Sequence, residues 1–393
     1  MKVTSNRSAL TLIVLAQFLG TSLWFAGNAV VPELSQLLED NSLLAPITSA
    51  VQFGFISGTF FYALFSIPDR FSPIKVFLTS AILASASNLM IIFLPLKIEF
   101  ILVCRFFVGV FLAGIYPVGM KIAADYFEKG LGTALGYLVG ALVLGTAFPH
   151  LIQGLDLQLS WKIIFICTSV LAIIGGLLIY LFVSDGPFRK KNQKFEISLI
   201  PKLSRITSLK SAASGYFGHM WELYTFWAFV PIFISFLYGE EFPQNQVSFL
   251  SFLIIAIGGV SCVFGGILST KFGSKNIALF ALLGSCVCCL LAFFVPSFPS
   301  FFWIIFLLAW GILVTADSPQ FSTLVSHSVP AKYKGTALTL VNCLGFALSI
   351  VSIQVGQYLL NWIPVNQMLA LLGIGPLIGL FLFKLFQKPN LLT

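Results

Sequence analysis

Polar residues in this chain are grouped so that long apolar stretches lie between them, and each stretch is about 20 residues, the length a helix needs to cross roughly 30 Å of hydrocarbon. Breaking these runs at polar, Pro and Gly punctuation predicts twelve spans, near 9–31, 45–67, 74–96, 98–121, 131–152, 161–183, 211–237, 246–268, 276–296, 300–323, 335–360 and 365–387. The runs are continuous rather than alternating, so they read as helices and not as barrel strands. The short basic lead MKVTSNR enters a run that passes Val30 without a small-residue cleavage site, and it is read as the start of the first span rather than a removed leader.

Composition agrees with that pattern. The chain is 58% hydrophobic and 9% charged, against roughly 45–50% and about 25% in soluble domains. The basic residues then supply an orientation. The segment from Ser184 to Lys210 carries Arg189, Lys190, Lys191, Lys194, Lys202, Arg205 and Lys210 between the sixth and seventh spans. With the N-terminus and this segment inside, 19 of the 22 Lys and Arg residues fall on the cytoplasmic face, Lys97 and Lys162 fall outside, and Arg105 lies within a span. Glu33, Glu39, Asp40, Glu99, Asp156, Glu240 and Glu241 lean outward. The expected protein is a multi-pass monomer of a cell (inner) membrane with both termini cytoplasmic. The net charge of +8 is accounted for by topology, so no nucleic acid partner is expected. Seven cysteines lie inside spans without metal-site spacing, and no metal or cofactor is expected.

The two sides of the basic segment repeat. Asp69-Arg70-Phe71 with Lys75 corresponds to Thr270-Lys271-Phe272 with Lys275 at an offset of 201, Pro117 to Pro319 at 202, and Gly132-Thr133-Ala134-Leu135 to Gly335-Thr336-Ala337-Leu338 at 203. The predicted organisation is an N-terminal six-helix bundle (1–183), a cytoplasmic basic linker (184–210) and a C-terminal six-helix bundle (211–393).

Across essentially its whole length the chain resembles the major facilitator superfamily, secondary transporters built from paired six-helix halves. The resemblance is carried by Asp69, Arg70 and Lys75 after the second span, by the second copy with Gly266, Lys271, Gly273 and Lys275, and by Arg105 with Gly109 in the fourth span. Phe65 and Ser72 stand where that loop motif has Gly, and the Gly-Pro motif of drug antiporters is missing from the fifth span. The resemblance implies an all-α integral membrane fold with twelve helices in two pseudo-symmetric bundles, and a gate on the inner face formed by Asp69, Arg70, Lys75 and Lys271.

Three charges sit within spans: Arg105, Glu222 and Asp317. An ion at mid-membrane costs about 2.5–3.5 kcal/mol on insertion scales, so each is expected to face a shared wet cavity or find a partner. Glu222 lies near mid-depth of the seventh span with His219 one turn away, and Glu222, Asp317 and His219 are the candidate proton carriers. Asp317 also reads as a cap before Pro319, near the cytoplasmic end, within reach of water. Arg105 keeps its charge and suits an anionic solute or an acidic partner. Gln17, Thr21, Trp24 and Asn28 recur at helical spacing in the first span and, with Gln52 in the second, form a stripe suited to solute contact. Each of these residues also has a structural reading as a packing or hydrogen-bonding group.

The expected function is secondary active transport of a small solute by alternating access, coupled to protons, with an anionic or zwitterionic metabolite as cargo. Export of a metabolite, siderophore or toxic compound is the alternative within transport, and a non-transporting membrane receptor or assembly factor the alternative outside it. No nucleophile or metal constellation occurs in the spans, so an enzyme is not expected.

Overall fold

Where the apolar runs predict helices, helices form. The computed structural model describes residues 6–127, 131–155, 160–189, 197–239 and 241–387, and among these no strand occurs. Lys2, Lys129, Lys190, Lys191, Lys194, Lys388, Asp156 and Glu240 lie outside the described residues. The N-terminal part comprises α1 (Asn6–Thr21), α2 (Ala26–Ala29), α3 (Val31–Leu38), α4 (Leu44–Leu64), α5 (Ile67–Arg70), α6 (Pro73–Phe93), α7 (Ile98–Leu112), α8 (Tyr116–Ala124), α9 (Leu131–Gly154) and α10 (Trp161–Phe182). After α11 (Ile200–Leu203) come α12 (Thr207–Tyr238), α13 (Gln244–Phe272), α14 (Ser274–Ala292), α15 (Phe301–Ala316), α16 (Ser318–His327), α17 (Lys334–Leu359), α18 (Val365–Leu371) and α19 (Ile374–Leu385).

Eleven helical stretches among the described residues are long and apolar enough to cross a bilayer, and Arg7–Thr21 is a shorter apolar helix. The chain is a multi-pass membrane protein. Its outward rings confirm the solvent: Phe280, Phe381 and Phe264 are 71%, 65% and 60% exposed, an arrangement that water disfavours and hydrocarbon does not.

Four expected spans are interrupted. Pro117 and Pro319 lie in the first turns of α8 and α16, so the fourth and tenth spans break just before a Pro N that has no hydrogen to donate. The twelfth breaks between α18 and α19 at Leu372–Gly373, ahead of Pro376. The first span, expected to run unbroken through residue 31, stops at Thr21, turns through Ser22–Phe25 and resumes as α2. No Pro marks that break, and what stabilises it is a side chain from α7. The corresponding α12 runs 32 residues without interruption, although Pro231 lies inside it.

Small residues set the closest approaches. A Cβ on Gly109 of α7 would lie 2.0 Å from the Val51 carbonyl oxygen of α4. Between the two parts of the chain, α9 packs along α13, where a Cβ on Gly140 would come 2.7 Å from the Gly259 carbonyl oxygen and one on Gly154 would meet Phe249 at 2.9 Å. Bare backbone at these positions lets helices approach closely. The other long contact between the parts joins α4 to α17.

Candidate functional site

The site is built where the interrupted first span meets α4, α12 and α17. Trp24, in the turn after α1, stacks on Tyr224 of α12 at 5.9 Å and on Phe346 of α17 at 5.7 Å between ring centroids, and meets Phe55 of α4 at 4.8 Å. Phe25 meets Trp227 edge-on at 6.2 Å. Beside this aromatic seam, Ser349 Oγ of α17 donates to Gln52 Oε1 of α4 at 3.1 Å, and Gln354 Nε2 donates to Ser49 Oγ at 2.9 Å. The two parts of the chain are thus joined by rings and neutral hydrogen bonds, without an ion pair between them among the described residues.

The stripe expected in the first span divides between neighbours. Trp24 alone has been carried to the seam by the turn. Gln17 lies against Gly119 of α8, with neither amide atom hydrogen-bonded. Thr21 faces Gly145 of α9 and gives its hydroxyl to the Gln17 carbonyl. Asn28 donates to Thr48 Oγ1 at 2.7 Å while its Oδ1 is unpartnered. Gln52 Nε2, Trp24 Nε1 and Trp227 Nε1 are likewise sealed without partners. Each such group costs about 1–3 kcal/mol when it is desolvated and left unbonded.

Arg105 is fully buried, and its surroundings are neutral. Nη1 donates to Asn88 Oδ1 of α6 at 2.9 Å, and Nη2 donates to the carbonyls of Leu23 and Trp24. These are carbonyls that the turn after α1 releases from helical bonding, so Arg105 caps the break. Asn88 continues the network to Phe165 O, Thr168 Oγ1 and Ser169 Oγ of α10. Arg105 Nε is unpartnered.

The acids lie in the other part of the chain. Glu222 is fully buried between α12, α14 and α15, where Trp310 Nε1 donates to its Oε1 at 2.7 Å and Ser285 Oγ to its Oε2 at 2.8 Å. Asp317 is equally sealed, with Oδ1 2.8 Å from His219 Nδ1. Two expectations are corrected here. Asp317 makes no side-chain cap to α16 and is out of reach of water, because its carboxyl turns back to the imidazole of α12. Nor do Arg105, Glu222 and Asp317 open into one wet cavity in this conformation: each is closed in by its own helices, Arg105 and Glu222 among neutral partners and Asp317 beside an imidazole, with neither of its carboxyl oxygens hydrogen-bonded.

At the basic end, Lys121 of α8 pairs with Asp69 at 2.9 Å and approaches Asp125 at 3.9 Å. Asp125 follows α8; burial pushes its carboxyl above the usual range, and Lys121 and Arg189 offset part of that push. Arg70 and Lys75 line a crevice of about 500 Å³ with Tyr62 and Phe71, and Lys271 lies over the ring of Phe272. Of the four expected gate residues, Arg70 and Lys75 thus share one crevice, while Asp69 is engaged by Lys121. Asp185 accepts from Ser72 Oγ and pairs with Arg189, whose Nη2 donates to the Phe71 carbonyl, so the start of the linker is tied to the loop after α5. A larger crevice of about 840 Å³ at the same end is lined by Ser208, Ser211, Lys275, Ser328, Phe383 and Gln387, among others.

Sequence reasoning missed Asn88, Ser285, Trp310, Tyr224, Phe346 and Ser349. Asn88 is a lone amide in an apolar run and had a signal of its own. The rings had none, since 15% of the chain is aromatic.

Helix count, the paired interfaces α9–α13 and α4–α17, and a polar centre define a membrane transporter fold. Residues 12–353 match the Major Facilitator Superfamily, and the chain belongs to that family. It is similar to a galacturonate transporter of Dickeya chrysanthemi, 23% identical over 192 residues, which covers 43% of this chain and 54% of that protein. The match thus spans about half the length of that curated relative. The fold is shared with a bacterial homologue of the human lysosomal transporter Spinster in an inward-facing, occupied conformation, with a TM-score of 0.70 and 14% identity over 98% of this chain and 97% of that one.

Proposed function

We propose that the protein is a proton-coupled secondary transporter of a small hydroxylated acid, working by alternating access across a cell (inner) membrane with both termini cytoplasmic. Two bundles, 1–183 and 211–393, rock about the aromatic seam, and the linker 184–210 joins them on the inner side. The observation that carries this reading is the set of buried, unpartnered polar atoms of the first, second and seventh spans: Gln52 Nε2, Trp24 Nε1 and Trp227 Nε1 at the seam, with Asn28 Oδ1 on α2 and both amide atoms of Gln17 on α1. Such groups are retained against their desolvation cost when a solute pairs with them during the cycle. Rings of Trp24, Tyr224 and Phe346 offer apolar faces for the carbon skeleton of that solute.

Arg105 supplies the fixed positive charge. It has no acidic partner among the described residues, so a carboxylate cargo is the anion that balances it, while its Nη donors hold the turn that presents Trp24. Glu222 and the Asp317–His219 pair carry the proton in the other bundle. Because the cation and the acids are held by different bundles, opening the seam changes the surroundings of both at once. The inner gate of Asp69, Arg70, Lys75 and Lys271 closes in a conformation other than this one. The partial likeness to a galacturonate transporter supports a sugar acid as cargo.

Reconstitution into proteoliposomes tests the proposal. Labelled D-galacturonate accumulates in vesicles when an inward proton gradient is imposed, and collapse of the gradient releases it. Absence of both gradient-driven uptake and counterflow, for D-galacturonate and for a panel of hydroxy acids, overturns the reading.

A further inference from the structure

Helix α9 presents a polar stripe that the site above leaves unused. Gly145 meets Phe18 and Thr21 of α1, while Gly140 and Gly154 meet Gly259 and Phe249 of α13, so two sides of α9 are assigned by contact. At about 100° per residue these sides lie nearly opposite one another, and Thr146, His150 and Gln153 fall on one of the arcs between them. Phe148 and Ile152 fall on the other arc, packed in the apolar cluster with Trp161 and Ile164 of α10. The stripe therefore faces away from α10, on the arc of α9 between its contacts with α1 and with α13.

Two of its groups lack partners. His150 is 2% exposed with Nε2 unbonded, and Gln153 Oε1 is sealed and unbonded. Thr146 spends its hydroxyl on the Leu142 carbonyl. An imidazole nitrogen and an amide oxygen both left dry in a membrane span cost about 1–3 kcal/mol each, and neither contributes to helix packing by hydrogen bonding.

We infer that His150 and Gln153 form a hydrogen-bonding subsite for hydroxyl groups of the carried solute, on the α9 wall of the route; this rests on the transport reading above. The two unbonded atoms suit a hydroxyl. Gln153 Oε1 only accepts, so it pairs with an O–H and repels a carboxylate oxygen, while the imidazole Nε2 pairs with the same hydroxyl as donor or acceptor. The acidic end of the solute belongs to Arg105 and the amide and indole donors of the first, second and seventh spans. Its hydroxylated end belongs to α9.

Accessibility tests this without knowledge of the cargo. In a background with the seven native cysteines replaced, His150→Cys, Ser349→Cys and Ser85→Cys are each treated with a water-soluble, membrane-impermeant thiol reagent. Ser349 marks the seam, and Ser85 is sealed against Ser169 inside the N-terminal helices. The inference expects His150→Cys to react severalfold faster than Ser85→Cys, at a rate comparable with Ser349→Cys. If Ser349→Cys reacts and His150→Cys does not, the subsite is wrong and the transport route stands; if neither reacts, the transport reading itself falls. In uptake of labelled D-galacturonate, His150→Ala and Gln153→Leu raise KM about tenfold, the loss of one buried hydrogen bond, with kcat retained. An unchanged KM in both variants overturns the subsite, and so does a fall in kcat alone.

Discussion

Trp310 Nε1 donates to Glu222 Oε1 across 2.7 Å, fixing a carboxyl of α12 against α15 in a place that water does not reach. Ser285 holds the other oxygen, so the carboxyl has a donor for each of its oxygens. Replacing Glu222 by Gln keeps the shape and removes the titrating group. Uptake driven by a proton gradient is expected to be lost in Glu222→Gln while counterflow exchange of the same solute continues, because exchange needs no net proton movement. Fully pH-dependent uptake in that variant removes Glu222 from the coupling role.

Arg105→Lys tests the clamp on the first span. A Lys ammonium offers three donors from a single atom and cannot reproduce the fork that reaches Asn88, Leu23 and Trp24 together. Thermal melting in detergent is expected to show a loss of about 3 kcal/mol, since buried acceptors are left without donors. A melting curve that matches the wild type means that the turn after α1 holds itself.

Gly109→Ala introduces a Cβ 2.0 Å from the Val51 carbonyl oxygen, backbone that cannot step aside. The expected cost is about 2 kcal/mol of stability from overpacking between α7 and α4, read from the shift in melting temperature. Gly335→Ala, which meets nothing within 4 Å, serves as the control.

Asp125 gives a pH prediction at the basic end. Burial raises its carboxyl pKa in the folded protein, with Lys121 and Arg189 partly opposing. A folded-state pKa above the unfolded one means that this group's contribution is complete below the unfolded value and is lost as pH rises through the folded value. Wild-type stability is therefore expected to fall as pH rises from the usual carboxylate range to somewhat above it, and Asp125→Asn should flatten that segment of the curve. The measurement is melting temperature against pH for both proteins.

The apolar runs announced the helices because burial in hydrocarbon forces backbone groups to pair within each segment, and Pro117 and Pro319 announced two of the breaks because Pro removes a donor. The turn at Ser22–Phe25 left no such mark: its stabilising donor comes from Arg105, 82 residues away along the chain from Leu23. His219 and Glu222, one turn apart in the sequence, take different partners for a geometric reason. Three residues along a helix leave side chains about 60° apart, which was enough to send one to Asp317 on the loop before α16 and the other to Trp310 and Ser285. The seam of Trp24, Tyr224 and Phe346 joins three distant segments of a ring-rich sequence, and nothing local distinguishes those rings from the ones that face lipid.

Helix α12 runs 32 residues without a break, which at 1.5 Å per residue is about 48 Å, against roughly 30 Å of hydrocarbon. It is a lever longer than the membrane is thick, with the linker attached at one end and Tyr224 and Glu222 along its shaft. Its counterpart at the N-terminus is jointed. The two corresponding spans thus differ in stiffness by construction: one is a single rod, the other a rod with an elbow whose carbonyls are held by Arg105.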